Sequence, residues 1–367
     1  MDEAYGGRFL RVVQADVADR LGARQARANA RLGFLSPPQG DGRILWIKAG
    51  GGSDAVWLAA ELAHAVRECR RDVRLIITFE AEHAAILPRI AALKRAGYGY
   101  GSCDRRSAVR RVLTRFAPLA GVVTVGGGLR PHLAAALAAR SIPVVAVHDL
   151  PVEGGDAVAA LPNVASEARA WGVRAMACAP LVSMIVEAQV EPQFRGVAGA
   201  RARALWWVTD VTRDAWPALM ESWRASPLAA QDLLFVGGAG AGPRLSQWDR
   251  TAYPPGSVIG VDDSRYWPAL AASCTGIHVG RPAERLLWQA IASGQVVSAV
   301  APEALDLLDP APWETVVPDG LMAHWQGLFE EPASARQRAD GLRRYFWQQR
   351  RRAQDAVAAL LARVYAW

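Results

Sequence analysis

The chain has 367 residues, of which 51% are hydrophobic and 21% are charged. This composition excludes an intrinsically disordered chain, and the length exceeds what one ordinary hydrophobic core accommodates, so two domains are expected. The formal net charge of +7, carried almost wholly by arginine, favours acidic partners such as phosphates, anionic lipid headgroups or acidic sugars. Nucleic acid is not expected, because the sequence has neither zinc-finger spacing nor an aromatic–basic strip that stacks bases.

The four cysteines (Cys69, Cys103, Cys178 and Cys274) lie far apart and form no CxxC pair. They predict a reduced, cytoplasmic protein without a structural metal or a cofactor. No apolar run reaches the roughly 18 residues that a membrane span needs. The first residues are acidic and lack the apolar core of a signal peptide. Peripheral contact with the inner face of the cell membrane stays open.

Residues 8–33 have the pattern of a basic amphipathic helix. Such a helix either packs on a domain or lies on an anionic membrane surface, and both alternatives stay open. An alternation of strands and helices follows, which predicts a parallel sheet covered on both faces. Its strands are residues 44–49, 73–78, 121–125 and 144–147, and its helices are residues 56–69, 82–96, 107–116 and 131–139.

A second alternation begins at Ala204, with strands at residues 204–209, 232–236, 257–261, 276–279 and 296–300 and helices at 214–225, 266–273 and 282–293. The fold class is therefore α/β, with two doubly wound Rossmann-like domains whose strand ends are expected to face a central cleft. The predicted organisation is an N-terminal amphipathic segment, two Rossmann-like domains, and an Arg-rich helix crossing back. Their bounds are residues 1–42, 43–190, 200–332 and 333–367.

The turn Gly50-Gly51-Gly52-Ser53-Asp54 is the most informative motif. Three glycines allow the backbone to approach a ligand closely, and the helix that follows directs its unsatisfied N–H groups at that ligand. Such a place suits an anionic sugar or a phosphate, with the Asp54 carboxylate at its edge. The alternative is a tight strand-to-helix connection in which Ser53 caps the helix.

Four further segments carry candidate chemistry. His148 and Asp149 follow a strand and could act as a second base and an acceptor contact, or simply be a loop pair. Gly127 lies in a second glycine turn that could admit a sugar. The glycine-rich turn with Gly238 and Gly240 suits a nucleotide phosphate that Arg244 would help to neutralise. Arg281 and Glu284 flank the start of a helix, where Glu284 either contacts a donor or only favours the helix terminus.

The order and spacing of several segments resemble the 3-deoxy-D-manno-octulosonic acid (Kdo) transferases, which are GT-B glycosyltransferases that use CMP-Kdo. The similar segments are Arg31-Leu-Gly, Pro37-Pro38, Ile44–Ala49, Val109–Phe116, Leu129–His132, Ser141–Val147, Val258-Ile-Gly260, Tyr266–Leu270, Gly276–Gly280 and Ala292-Ser-Gly294. Residues 50–54 stand where that family has Ala-Ser-Val-Gly-Glu, whose glutamate is the catalytic base. The resemblance covers nearly the whole chain.

The resemblance implies a GT-B glycosyltransferase that moves a sugar, Kdo from CMP-Kdo in the first instance, to a lipid A-like or other glycan acceptor. It implies direct displacement with inversion, Asp54 as the base, Gly51, Gly52 and Ser53 around the acceptor, and Gly260 among the donor contacts. It implies no metal. Four family motifs are replaced, at Gly126–Gly128, His148–Val152, Thr209–Asp214 and Glu284–Gln289. The alternative is therefore a non-catalytic GT-B-like protein that binds a sugar nucleotide or a glycan-assembly partner.

Overall fold

The structure is a computed structural model, and it describes residues 25–50, 52–80, 86–127, 129–147, 174–175, 181–191, 194, 202–209, 211–212, 214–237, 245, 253–261, 263–280, 284–300 and 313–367. The chain divides into two compact units. Unit 1 comprises residues 1–151, 155–179 and 354–367, and unit 2 comprises residues 152–154 and 180–353. The domain bounds expected from the sequence stay a prediction.

Unit 1 is a parallel sheet with helical connections. Its elements are α1 (Gln25–Arg31), β1 (Ile44–Ala49), α2 (Ser53–Cys69), β2 (Arg74–Phe79), α3 (Leu87–Ala91), β3 (Ala96–Tyr100), α4 (Arg106–Arg115), β4 (Leu119–Val125), α5 (Pro131–Ala138), β5 (Val144–Val147) and β6 (Arg174–Ala175). The strands pair in the order β3-β2-β1-β4-β5-β6, all in parallel.

Unit 2 repeats this arrangement. Its elements are β7 (Leu205–Thr209), α6 (Trp216–Ala225), β8 (Leu233–Gly237), β9 (Val258–Val261), α7 (Trp267–Ser273), β10 (Gly276–Val279), α8 (Glu284–Ala292), β11 (Val296–Ala299), β12 (Glu314–Thr315), α9 (Leu321–Glu330) and α10 (Pro332–Tyr365), with short 3-10 turns at Leu181–Ile185, Pro227–Ala230, Ser264–Tyr266 and Pro318–Gly320. The strand order is β12-β11-β10-β7-β8-β9, again all parallel. Helix α10 belongs to unit 2 as far as Ala353 and to unit 1 beyond it.

Both sheets therefore have the same doubly wound topology, in which the first strand of each unit lies beside the fourth. Successive strands are added to one side of the first strand and then to its other side. This order reverses between β1 and β4 in unit 1, and between β7 and β10 in unit 2. Ligands of such sheets bind outside the carboxyl ends of the strands at this switch point. The predicted α/β fold class, with parallel Rossmann-like sheets and a C-terminal helix, is confirmed.

One stretch differs from its prediction. A single helix was expected over residues 82–96, but α3 ends at Ala91 and the edge strand β3 begins at Ala96. Arg95 has a φ of 54°, which interrupts the helical backbone before the strand. The helix expected over residues 8–33 lies within the described part of the chain only from residue 25 onward, where it forms α1.

Each core is anchored by buried tryptophans. In unit 1, the Trp46 indole packs edge-on against Phe116 at 5.2 Å and donates to Thr78 Oγ1 at 2.8 Å. In unit 2, Trp206 stacks on Trp325 with ring centroids 4.6 Å apart. Trp206 also donates to the fully buried Asp232, whose carboxylate oxygens lie 3.2 and 3.0 Å from the Arg203 guanidinium. Burial of these large rings supplies much of the hydrophobic stabilisation.

The end of α10 is attached to unit 1 by two contacts. The Arg70 guanidinium donates to the carbonyl oxygens of Val364 at 2.7 Å and Tyr365 at 3.3 Å, which satisfies carbonyls that a helix terminus leaves without partners. The Trp367 ring occupies the space beside Gly121 of β4 that a Cβ atom would need. The final residues thus pack against β4 of the unit 1 sheet and against the end of α2.

Candidate functional site

Two glycine turns meet at the switch point of unit 1. Gly50 follows β1 and donates to the carbonyl of Val125, and Gly126 follows β4 and donates to the carbonyl of Val147. A Cβ atom on Gly50 would overlap the carbonyl group of Gly126, and Gly127 lies against the Gly50 backbone. Gly126 has a φ of +60°, a conformation that glycine adopts without strain. The sequence singled out both turns separately, and the structure places them in direct contact.

Asp54 lies in the first turn of α2, directly beyond this contact. Gly52 is the N-cap, with extended backbone at φ −76° and ψ 147°, and supplies no side chain to cap the helix. The helix therefore begins without a side-chain cap, and the Asp54 charge is favourable at its positive end. Ser53 is the first residue of α2. The proposed catalytic and acceptor-binding roles of these residues stay predictions.

A cluster of charged side chains lies at the same edge. Lys48 stands near the end of β1, Glu80 directly follows β2, and Arg130 precedes α5. One oxygen of Glu80, Oε1, lies 3.3 Å from Lys48 Nζ and 3.0 Å from Arg130 Nη2. We call these three residues the edge triad. The Lys48 side chain is 7% exposed, whereas those of Glu80 and Arg130 are 38% and 46% exposed. The cluster therefore runs from the sheet interior to solvent.

Burial and charge act in opposite directions within the edge triad. Burial lowers the pKa of Lys48 below its usual value, although the Glu80 carboxylate opposes that shift. Burial by itself would raise the pKa of Glu80, but the attraction of Lys48 and Arg130 outweighs it and holds that pKa below its usual value. Glu80 is therefore ionised at neutral pH and is stabilised as an anion, which makes it a weak proton acceptor.

Asp104 forms the neighbouring polar contact. Its two carboxylate oxygens accept hydrogen bonds from the backbone N–H groups of His132 at 3.2 Å and Leu133 at 3.0 Å, in the first turn of α5. Two of the N–H groups that this helix would leave unsatisfied are thereby paired, and the Asp104 charge is stabilised by the helix terminus. Asp104 is thus a structural residue that fixes the start of α5 beside Arg130.

The equivalent edge of unit 2 is described in part. Gly280, after β10, donates to the carbonyl of Thr209 at the end of β7. A Cβ atom on Gly237 would lie 2.5 Å from Thr209 Oγ1, so these strand ends are also closely packed. Helix α8 begins at Glu284, after the turn that follows β10. Gly260 is buried within β9, one residue before β9 ends, and it pairs with Val236 of β8.

Several sequence candidates lie outside the described residues: Gly51, His148, Asp149, Gly238, Gly240, Arg244 and Arg281. Their proposed roles stay predictions. The edge triad was not predicted. Lys48 is a charged residue inside an otherwise apolar strand, and this break in the pattern was the available signal. Glu80 and Arg130 gave no signal in the sequence, because only the contacts of Glu80 with Lys48 and with Arg130 mark them as part of a site.

A cavity of about 260 Å³ lies in unit 2 among residues of β12, α9 and α10. Glu314, His324 and Arg338 line it; Glu314 forms an ion pair with Arg338 through Oε1, and its Oε2 lies 3.2 Å from His324 Nδ1. No residue that the sequence predicted for the site lines this cavity. Within the described ranges, no cluster of three or more His, Cys, Asp or Glu residues could hold a metal ion. None of the described helices is long and apolar enough to cross a membrane.

Each unit is a parallel Rossmann-like sheet, and the fold of the chain is similar to that of solved GT-B glycosyltransferases. The glycosyltransferase SnogD from Streptomyces nogalater is 15% identical with a TM-score of 0.52, over 87% of this chain and 100% of its own. HepE from Anabaena, solved in complex with UDP-glucose, is 11% identical with a TM-score of 0.55, over 87% and 99%. MurG from Acinetobacter baumannii is 13% identical with a TM-score of 0.54, over 89% and 100%. No protein-family model and no curated protein sequence matches the chain.

Proposed function

We propose that the protein is a glycosyltransferase that transfers a sugar from a nucleotide-sugar donor to a glycan or glycolipid acceptor. The observation that carries this proposal is the position of Asp54, in the first turn of α2 at the switch-point edge of a GT-B fold. The acceptor is assigned to this edge of unit 1, beside Gly52, Ser53 and Gly127, with Gly51 and Asp149 as further contacts. The donor is assigned to unit 2.

The proposed mechanism is direct displacement. The Asp54 carboxylate removes the proton from the acceptor hydroxyl while that oxygen bonds to the anomeric carbon, and the bond to the nucleotide phosphate breaks with inversion. Glu80 is less suited to this role because Lys48 and Arg130 stabilise it as an anion. His148 is proposed as an auxiliary base. Arg244, Arg281 and the glycine turn with Gly238 and Gly240 would stabilise the departing phosphate, as preorganised charges do, and no metal is proposed.

The donor class is supported by a structural neighbour, since HepE binds UDP-glucose in its solved complex. The resemblance of the sequence to Kdo transferases makes CMP-Kdo the first donor to test, with Glu284 and Gly260 among its contacts and a lipid A-like acceptor. We further propose that the protein works in the cytoplasm at the inner membrane face. The basic segment of residues 8–33 would then contact the anionic lipid surface that holds such an acceptor.

The test begins with titration of the protein with CMP, UDP and GDP. Nucleotide release from CMP-Kdo and UDP-glucose is then measured with lipid and sugar acceptors for wild type, Asp54→Asn and Asp54→Glu. Asp340→Asn, an exposed aspartate on α10, is the matched control. We expect Asp54→Asn to lose about 10²-fold or more in kcat with nucleotide affinity unchanged. Asp54→Glu, which restores the family residue, should keep activity.

The remaining outcomes separate the alternatives. Turnover that is unchanged in Asp54→Asn would rule out Asp54 as the base. Nucleotide binding without turnover on any acceptor would favour the non-catalytic GT-B-like protein, whose support is the replacement of four family motifs in the sequence. Absence of nucleotide binding would overturn the proposal as a whole.

A further inference from the structure

We propose that the edge triad is a subsite for one anionic group of the acceptor, a carboxylate or a phosphate. This inference rests on the proposed function, because it places the acceptor at the switch-point edge of unit 1. It adds a substrate class, acidic rather than neutral acceptors, and it assigns Lys48 and Arg130 as the residues that select it.

The edge triad lies at the carboxyl edge of the unit 1 sheet. Lys48 lies on β1, and Arg130 lies between β4 and α5. The two cations are therefore at β1 and after β4, the adjacent strands between which the strand order reverses. Glu80 follows β2, the next strand in the sheet. All three residues therefore lie at the carboxyl edge of neighbouring strands, where ligands of doubly wound sheets bind.

The burial of the Lys48 ammonium group carries a cost in free energy. The other residues of β1 are apolar and buried, and Lys48 itself is only 6% exposed. Its ammonium group donates a hydrogen bond to Glu80 Oε1 at 3.3 Å. Removal of an ammonium group from water carries a desolvation cost that an apolar side chain of similar size does not incur. Packing alone would therefore favour a residue such as methionine at this position, and the retained ammonium group points to a binding role.

The positive charges of the edge triad outnumber its negative charge. Two cations share one carboxylate oxygen, Glu80 Oε1, so the triad carries a net charge of about +1. Asp104, a further acid near Lys48 among the described residues, is paired with the backbone N–H groups that begin α5. An incoming monoanion would balance the remaining positive charge. The half-exposed Arg130 guanidinium presents its planar donors to it, and the Lys48 ammonium lies behind as a fixed charge.

Two sources could supply this anion: the carboxylate of an acidic sugar and the phosphate of a sugar phosphate or glycolipid. Glucuronate and glucose 6-phosphate represent them as probes, and glucose is the neutral reference. Their affinities are measured by NMR titration of wild type, Lys48→Met and Arg130→Gln. The matched controls are Lys94→Met, just before β3, and Arg140→Gln, beyond the other end of α5, since both lie towards the amino edge of the sheet.

We expect wild type to bind at least one anionic probe about tenfold or more tightly than glucose. Each triad variant should lose about tenfold of that affinity, as expected for a charge-assisted hydrogen bond. Glucose affinity and the two control variants should be unchanged. The tighter anionic probe identifies the source. Lys48→Met should also unfold at or above the wild-type temperature, whereas a purely structural lysine would lower it.

Equal affinity for glucose and both anions in wild type would overturn the inference, as would triad variants that bind the anions as wild type does. Nucleotide titration of the same samples separates this failure from that of the proposed function. Nucleotide binding with no preference for anionic sugars rejects only the subsite. Anion binding that depends on the triad, without any nucleotide binding, would retain the subsite and reject the glycosyltransferase.

Discussion

Gly50 and Gly126 pack backbone against backbone, and neither position leaves room for a Cβ atom. The two turns come from strands that are adjacent in the sheet and far apart in sequence, and Asp54 follows the first of them. The close contact fixes where α2 begins and hence where the Asp54 carboxylate lies. Variants at the contact therefore test whether packing positions this site.

Gly126→Ala should destabilise unit 1. Its φ of +60° strains any other residue, and the added methyl would lie 2.6 Å from the Ala55 side chain. We expect a loss of about 1–3 kcal/mol in the free energy of unfolding, measured with urea. Gly101→Ala is the control within unit 1, because no described atom beyond its chain neighbours lies nearer than 3.9 Å to its added Cβ and its φ is not left-handed. Equal losses in both variants would contradict the packing argument.

Asp232→Asn should weaken the core of unit 2. The fully buried carboxylate accepts hydrogen bonds from Arg203 and from the Trp206 indole, and the amide would replace one of its acceptor oxygens with a donor. A loss of about 1–3 kcal/mol is expected from calorimetric or urea unfolding. Asp340→Asn removes an exposed charge from α10 and should change stability by less than about 0.5 kcal/mol.

Acid should destabilise unit 2 through His278. This histidine is fully buried, with Nδ1 3.1 Å from Ser298 Oγ, and burial, with a smaller effect of His324, lowers its pKa to about 4. The unfolded chain binds the proton at about pH 6.5. The stabilisation is therefore complete above that pH and is lost as the pH falls from about 6.5 to 4, with an upper bound of about 3 kcal/mol.

Urea unfolding at pH 7.5 and 5 for wild type and His278→Gln measures this effect, and the variant should lose less stability between the two pH values. A residual loss is expected from His324, because burial, followed by Arg338, lowers its pKa despite the opposing charge of Glu314. Identical pH dependence in both proteins would show that His278 does not titrate differently on folding.

Arg70→Met should release the end of α10. The substitution removes both hydrogen bonds to the carbonyls of Val364 and Tyr365 while keeping the apolar part of the side chain. Amide hydrogen exchange of the last helical turn should speed up about tenfold or more. Arg71→Met changes an exposed arginine one residue along the chain and should leave that exchange unaltered. Unchanged protection in Arg70→Met would mean that Trp367 alone holds the helix end.

The sheets were predictable because their strands are continuous apolar runs, and β1, β5 and β10 begin and end where the sequence placed them. The edge strand β3 was missed. Its Gly97 and Gly99 carry no side chain to form an apolar pattern, and the reason becomes visible only when Leu35 and Pro38 pack beside them. Helix α9 was also missed. Its apolar residues pack against residues that are far away in sequence, as Trp325 packs against Trp206, and such contacts cannot be read from the local sequence.

The same limit applies to the candidate site. The glycine turns and Asp54 could be found because glycine repeats and a following helix are local signals. The edge triad could not be found in this way, because Lys48 and Glu80 are 32 residues apart and Arg130 lies 50 residues beyond Glu80. Tertiary contacts of this kind leave no spacing rule in one sequence. Only the single lysine in an apolar strand was visible there.

The attachment of Val364 to Arg70 and of Trp367 to Gly121 has a consequence for synthesis of the chain. The strands β1 to β5 of unit 1 are available after residue 147, but the contacts of this unit with the end of α10 and with Trp367 form only when residues 354–367 have been made. During elongation through unit 2, the face beside β4 stays uncovered and is a target for chaperones. Nascent chains stalled before residue 354 should therefore be more sensitive to protease in unit 1 than chains that include residues 354–367.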